Sequence, residues 1–169
     1  MPEYVFLDTE TTGLGDEAQL VEIAIVDAAG VVLFESYCSP TVAVEAEAQA
    51  VHGIGQVTLA DAPSWPEIAE TVRSALEGRT VVIFNAAFDT RILRQTGAAH
   101  GFQPGWMATL KTECAMMRAA QLYGATNKYG TISLTNATAR AGIEFQGRVH
   151  SAAGDATTTA ALWRVMTLS

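Results

Sequence analysis

Apolar residues fall into short runs separated by polar turns, and the runs divide the chain into strands and helices. Residues 4–8 (YVFLD) make a short apolar run, broken by Thr11-Thr12-Gly13-Leu14-Gly15. Residues 20–27 (LVEIAIVD) and 31–37 (VVLFESY) are rich in Val and Ile, and Asp27-Ala28-Ala29-Gly30 between them is a turn signal. Three such runs with short connections predict an antiparallel meander. The pattern then changes. Residues 43–51 predict a short helix. Ser64 caps another, in which Ile68, Ala69, Val72 and Leu76 recur at helical spacing and which Gly78 ends. Residues 80–84 (TVVIF) predict a buried strand, and Asn85 opens a helix running to about Gln95, before Gly97. A short fifth strand is placed at 107–110, with helices over 113–122, 133–141 and 152–166. Residues 123–131 and 144–149 read as loops. Strands first, then alternating helices and strands, predict an α/β fold: a mixed sheet of about five strands flanked by helices.

Composition narrows the class. The chain has 169 residues, 49% hydrophobic and 17% charged, which predicts one globular domain over 1–169. No apolar run approaches the ~20 residues needed to span a bilayer, so no membrane association is expected. The start, MPEYVFLDTE, lacks the basic and apolar regions of a secretory signal. Cys38 and Cys114 lack metal-ligand spacing, and reduced thiols in the cytoplasm are the simplest reading. A net charge of −8 argues against broad, non-specific binding to nucleic acid. It does not exclude a nucleic-acid enzyme, because cations bound by carboxylates reverse the local potential.

The candidate chemistry begins at the end of the first run. Asp8 and Glu10 are two residues apart, so in a strand they project from one face. Carboxylates that close resist joint ionisation unless a cation sits between them. Taken alone, the pair reads first as a polar strand end meeting water and only second as a site. Asp89 and Asp155 each lie in the first turns of a predicted helix, where the helix dipole alone accounts for a carboxylate. His150 stands five residues before Asp155. On one continuous helix the two would be about 140° apart, but from a loop before the helix His150 can fold back over the same site. Ser151 is a candidate cap at that boundary.

Three segments in order, DTETTG at 8–13, NAAFD at 85–89 and HSAAGD at 150–155, resemble the motifs of the DEDDh 3′→5′ exonucleases. This is the DnaQ-like superfamily of the DNA polymerase III epsilon subunit, exonuclease X and ribonuclease T. VHGI at 51–54 is similar to a recurring segment of the epsilon branch, and the likeness extends from Tyr4 to about Ala160. The resemblance implies an RNase H-like fold and hydrolysis of phosphodiester bonds at single-stranded 3′ ends. DNA is the favoured substrate, an exoribonuclease the alternative, and an idle nucleic-acid-binding module a third reading. It implies two Mg²⁺ ions, replaceable by Mn²⁺, about 3.5–4 Å apart. Asp8 would bridge both, Glu10 and Asp155 would complete one metal position, and Asp89 would serve the second. His150 would take the proton of the attacking water, a task suited to a group whose free pKa is about 6.5.

The resemblance also implies substrate contacts. Backbone N–H groups of Glu10 and Thr11 would meet the terminal 3′-OH. Leu14 would wedge against the terminal base, and Val51, His52 and Ile54 would line the same pocket. Phe88 would pack on sugar or base, or serve the core. Asn85 would orient its loop or reach a phosphate, and Lys128 and Tyr129 would meet the strand or stand in solvent. A homodimer, a polymerase or a targeting protein is the expected partner. There are departures. Phe84 occupies a position where many relatives carry histidine, and Ala152-Ala153-Gly154 is a weak helix start that would leave His150 mobile before substrate binds.

Overall fold

The structure is a computed structural model and describes residues 3–168. The reading of the chain start falls partly on Met1 and Pro2, which, like Ser169, lie outside the described residues. Five strands form one mixed sheet: β1 (Tyr4–Thr11), β2 (Leu20–Asp27), β3 (Val32–Tyr37), β4 (Thr80–Ile83) and β5 (Lys111–Cys114), in the order β3-β2-β1-β4-β5. β1, β2 and β3 form the antiparallel meander, and β4 and β5 add in parallel on the other side of β1. β1 is therefore central. Its carboxyl end, where the chain connections diverge, is the place where α/β sheets hold ligands.

Alternation along β1 divides the molecule into two cores. Val5 and Leu7 face one way, toward α3 (Trp65–Leu76) and α4 (Ala86–Ala99), where Trp65, Val72, Ile92 and Leu93 are buried. Phe6 faces the other way, toward α5 (Ala115–Tyr123), α6 (Leu134–Ala141) and α7 (Ala152–Leu168), packing with Ala119, Ala156, Ala160 and Trp163. A satellite cluster of Val21, Ile54 and Leu59 seats α1 (Ala46–His52) and the single turn α2 (Gln56–Leu59) beside β2.

Several boundaries differ from expectation, each for a physical reason. β1 continues to Thr11 rather than stopping at Asp8, because its pairing with β2 persists through a register shift between Glu10 and Thr11. α1 starts three residues later than predicted, and the short α2 has no sequence signal of its own. α4 runs past Gly97 to Ala99. Gly97 is there for close approach and not as a stop: a Cβ on it would lie 2.9 Å from the Phe102 carbonyl oxygen. One residue earlier, Thr96 is fully buried and its hydroxyl accepts the Leu20 N–H at 2.9 Å, tying α4 to the start of β2. The fifth strand is Lys111–Cys114, not 107–110. Residues Gly105–Thr109 form a 3₁₀ turn whose Trp106 and Met107 pack on the first core. At Ser64 the helix start is as expected: the Glu67 carboxylate accepts from the Ser64 N–H at 2.6 Å and from its hydroxyl at 2.8 Å.

Candidate active site

Asp8 and Glu10 project from the α7 face of β1, and Thr9 between them projects toward α4. α7 arrives with its amino end beside the carboxylates. As a result, oxygens of Asp8, Glu10 and Asp155 lie within 4.8 Å of one another. Asp89 is outside that trio. It comes from α4 on the opposite face, is 4% exposed, and accepts the Thr9 hydroxyl at 2.7 Å. Four carboxylates picked from sequence thus converge on one strand end from two layers.

His150 sits in the loop before α7, as the loop alternative required. Its φ of 59° is left-handed, a conformation that histidine enters more readily than most residues. This turns its N–H back onto Asp155 Oδ1 at 3.2 Å. Ser151 caps the helix: its hydroxyl oxygen accepts the Gly154 N–H at 3.1 Å. The Ala152-Ala153-Gly154 start has a steric purpose. A side chain on Gly154 would collide with the Arg148 carbonyl oxygen, so glycine lets the loop carrying His150 lie against the first turn.

Two charged residues at the site escaped the sequence reading. Glu22 pairs with Glu10 across the β1–β2 ladder, and its Oε1 accepts the first N–H of α7, from Ala152, at 2.7 Å. A lone carboxylate inside the apolar run LVEIAIVD was the available signal, since a charge within a buried strand must be satisfied. Arg148 is the other, and it reaches from the His150 loop toward α1, its Nη2 lying 3.4 Å from the His52 carbonyl.

Burial and mutual repulsion dominate the electrostatics. The Asp8 carboxyl is pushed well above the usual range by burial first, and then by Asp89, Asp155, Glu10 and Glu22. Glu10 is raised to about 8 by burial, Asp155, Glu22 and Asp89, with Arg148 opposing. Asp89 is raised to about 7 by burial, against the pull of its bond from Thr9. Asp155 is raised to about 6 by burial, against the His150 N–H and ring. Asp8 Oδ2 is buried with no hydrogen-bond partner. An orphaned oxygen in a cluster of hard, anionic oxygens fits a divalent cation such as Mg²⁺ or Mn²⁺.

A cavity of about 450 Å³ opens beside the carboxylates, and Glu10 belongs to both. Thr11, Leu14, Val51, His52 and Phe88 line it. Leu14 is 76% exposed, an apolar side chain held out into solvent at the rim. Glu45 and Glu47 also line the cavity and carried no sequence signal. His52 has its ring nitrogens engaged. Nδ1 accepts the Ile54 N–H at 3.0 Å, which leaves the proton on Nε2 to bond the Thr11 carbonyl at 2.8 Å. The ring braces the pocket wall and presents only its apolar surface. Ile54 is not a pocket residue: it is 5% exposed, in the satellite cluster with Val21 and Leu59. Asn85 supplies the carbonyl that accepts the N–H groups of Phe88 and Asp89 at the start of α4, and it stands outside the lining. Phe84, the departure from the motif, packs on the second core. Tyr129 and Lys128 are exposed on a turn organised by Asn127, with the ammonium 5.2 Å from the ring centroid.

A mixed sheet with converging carboxylates at the end of its central strand defines a class, the RNase H-like hydrolases that work on an acidic centre. Comparison with known proteins sharpens this: an exonuclease family model (RNase T type) matches residues 5–163, and the chain belongs to that family. An uncharacterised exonuclease of Escherichia phage 186 is 36% identical over 157 residues, covering 89% of this chain and 81% of that protein. The DNA polymerase III epsilon subunit of Escherichia coli K12 is 36% identical over 95 residues, 50% of this chain and 39% of the subunit. Among solved structures, exonuclease X in complex with 5′-overhanging duplex DNA superposes with a TM-score of 0.74 at 27% identity, covering 98% of this chain and 92% of that one. Exonuclease I without ligand shares the fold, with a TM-score of 0.76 at 20% identity, covering 99% of this chain and 42% of that one.

Proposed function

We propose that this exonuclease removes nucleotides in the 3′→5′ direction from single-stranded ends, DNA before RNA, releasing nucleoside 5′-monophosphates in a reaction that requires divalent metal. The observation that carries this is the sharing of Glu10 between the carboxylate trio and the 450 Å³ cavity. A terminal nucleotide seated between Leu14, Val51 and Phe88 would present its 5′-phosphate to the carboxylates. The epsilon and exonuclease X relatives favour DNA. A relative named RNA exonuclease 4, from Gibberella zeae and 28% identical over 174 residues, keeps RNA as the second substrate to test.

Two Mg²⁺ ions, held by Asp8, Glu10 and Asp155 with Asp89 behind, would supply water activation and charge stabilisation at the phosphoryl group and the departing 3′-oxygen. The protein's own groups do the positioning. Thr9 fixes Asp89, Glu22 fixes the start of α7, and Asp155 holds the backbone of His150. His150 then receives the proton of the attacking water. Glu10 and Thr11 N–H groups meet the terminal 3′-OH. A polymerase or targeting partner would compensate for the acidic surface that weakens capture of nucleic acid.

The direct test is a digestion panel of 3′- and 5′-labelled single-stranded DNA, duplex DNA and RNA, with Mg²⁺, with Mn²⁺ and in EDTA. The 3′ label should leave first as a mononucleotide from single-stranded DNA, and EDTA should stop the reaction. Equal activity in EDTA would exclude the metal-dependent reading. His150→Ala should lower kcat by about 10²- to 10⁴-fold, the usual worth of a positioned proton acceptor. Affinity for the oligonucleotide should be nearly unchanged. An unaltered kcat would remove His150 from that role.

A further inference from the structure

A cation, Arg148, stands at the edge of the carboxylate centre. Arg148 is exposed, in a net-acidic chain, on the loop that carries His150. Its backbone is fixed. The Arg148 carbonyl accepts the Ser151 hydroxyl at 2.8 Å and the Ser151 N–H at 3.3 Å, and Gly154 has no side chain because that carbonyl occupies the space. From this base the guanidinium reaches the end of α1, behind the cavity-lining His52. Nη2 lies 3.4 Å from the His52 carbonyl and 3.3 Å from where a Cβ on Gly53 would be. It also lies close enough to Glu10 to oppose the upward pull of the other carboxylates. Glu10 marks the boundary between the trio and the cavity. Arg148 therefore stands between two residues of the cavity lining, His52 and Glu10, on the side where the carboxylate trio begins.

The bond to the His52 carbonyl is long and neutral on the acceptor side. A phosphate oxygen would replace it readily, because charge-assisted, forked guanidinium–phosphate bonds are shorter and roughly twice as strong. We propose that Arg148 binds the scissile phosphate of a single-stranded nucleic acid and, by doing so, seats the His150 loop over it. This rests on the exonuclease reading above and adds a residue to it. A chain whose overall charge repels its substrate would thereby place a positive group at the phosphate that must be positioned correctly.

The test uses the full chain on 3′-labelled single-stranded DNA with Mg²⁺, and follows kcat/KM as a function of salt. Arg148→Ala should lower kcat/KM by about 10- to 100-fold. It should also make the slope of log kcat/KM against log salt shallower by about 0.7, the value of one lost phosphate contact on a single strand. Arg148→Lys should restore the slope, because the charge remains, but recover only part of the rate, because the fork is lost. A structural role would change the rate and leave the slope as it was. Arg148→Ala with wild-type kcat/KM, or with a reduced rate and an unchanged slope, would overturn the phosphate contact. A wild-type chain that fails to release the 3′ label would overturn this proposal and the exonuclease reading together.

Discussion

Asp8→Asn should abolish hydrolysis and at the same time make the metal-free protein more stable. The fall in kcat should be on the order of 10³- to 10⁵-fold, as when one member of a concerted catalytic group is removed. The gain in stability follows from the environment of the side chain. Asp8 is partly buried, surrounded by four other carboxylates, and holds one buried oxygen without a partner. An amide of nearly the same shape removes the charge that burial and repulsion penalise. Melting in EDTA should therefore move upward, by ~2–4 °C for each kcal/mol in a chain of this size. Release of a 3′ label and the melting temperature in EDTA check both halves. A variant that keeps its activity, or one that loses activity by losing stability, would remove Asp8 from the centre of the site.

The wild-type protein without metal should lose stability as the pH rises from about 5 to 8, and divalent cations should reverse that loss. The sign follows from the raised carboxyls. Asp155 at about 6, Asp89 at about 7 and Glu10 at about 8 all hold protons in the folded chain that the unfolded chain has already released. Between the ordinary carboxylate range near 4 and these values, the folded state binds more protons, so stability declines with rising pH. The contribution is complete below the unfolded values and is gone above pH 8. A cation that binds only the folded state adds ~2.7 kcal/mol at 100 times its Kd. Because it needs ionised ligands, Mn²⁺ or Mg²⁺ should raise the melting temperature more at pH 8 than at pH 5. Melting curves at the two pH values, with EDTA and with metal, provide the measurement. An EDTA profile that is flat or rises with pH would contradict the assigned electrostatics.

How far the sequence was legible depended on how local each determinant was. β1, β2 and β4 stand out because their apolar runs are largely buried on both faces, and β3, a mostly exposed edge strand, because its apolar residues follow a turn signal. β5 does not, because KTEC is a polar edge strand whose residues are largely exposed. Gly97 misleads because a glycine admitted for close approach carries the same letter as one that ends a helix. At the site, Asp8, Glu10, Asp89, His150 and Asp155 were legible as three spaced motifs. Glu22 and Arg148 were not, since their significance depends on contacts 130 and 96 residues away along the chain. VHGI illustrates both cases. The segment was recognisable, yet only the structure separates His52, bracing the pocket, from Ile54, which belongs to the core.

The sheet is one strand thick where the site lies, and Asp8 and Thr9, adjacent in sequence, face different cores. Asp89 answers from the α4 layer and Asp155 from the α7 layer. Apolar packing gives each layer its own cluster of buried residues. An ion gripped by carboxylates from both layers would act as a rivet through the sheet. Fraying of either helix would then have to wait for the ion to leave, and slow amide exchange in α4 would become linked to slow exchange in α7. Occupancy of the centre would set how the whole molecule breathes as well as what it cuts.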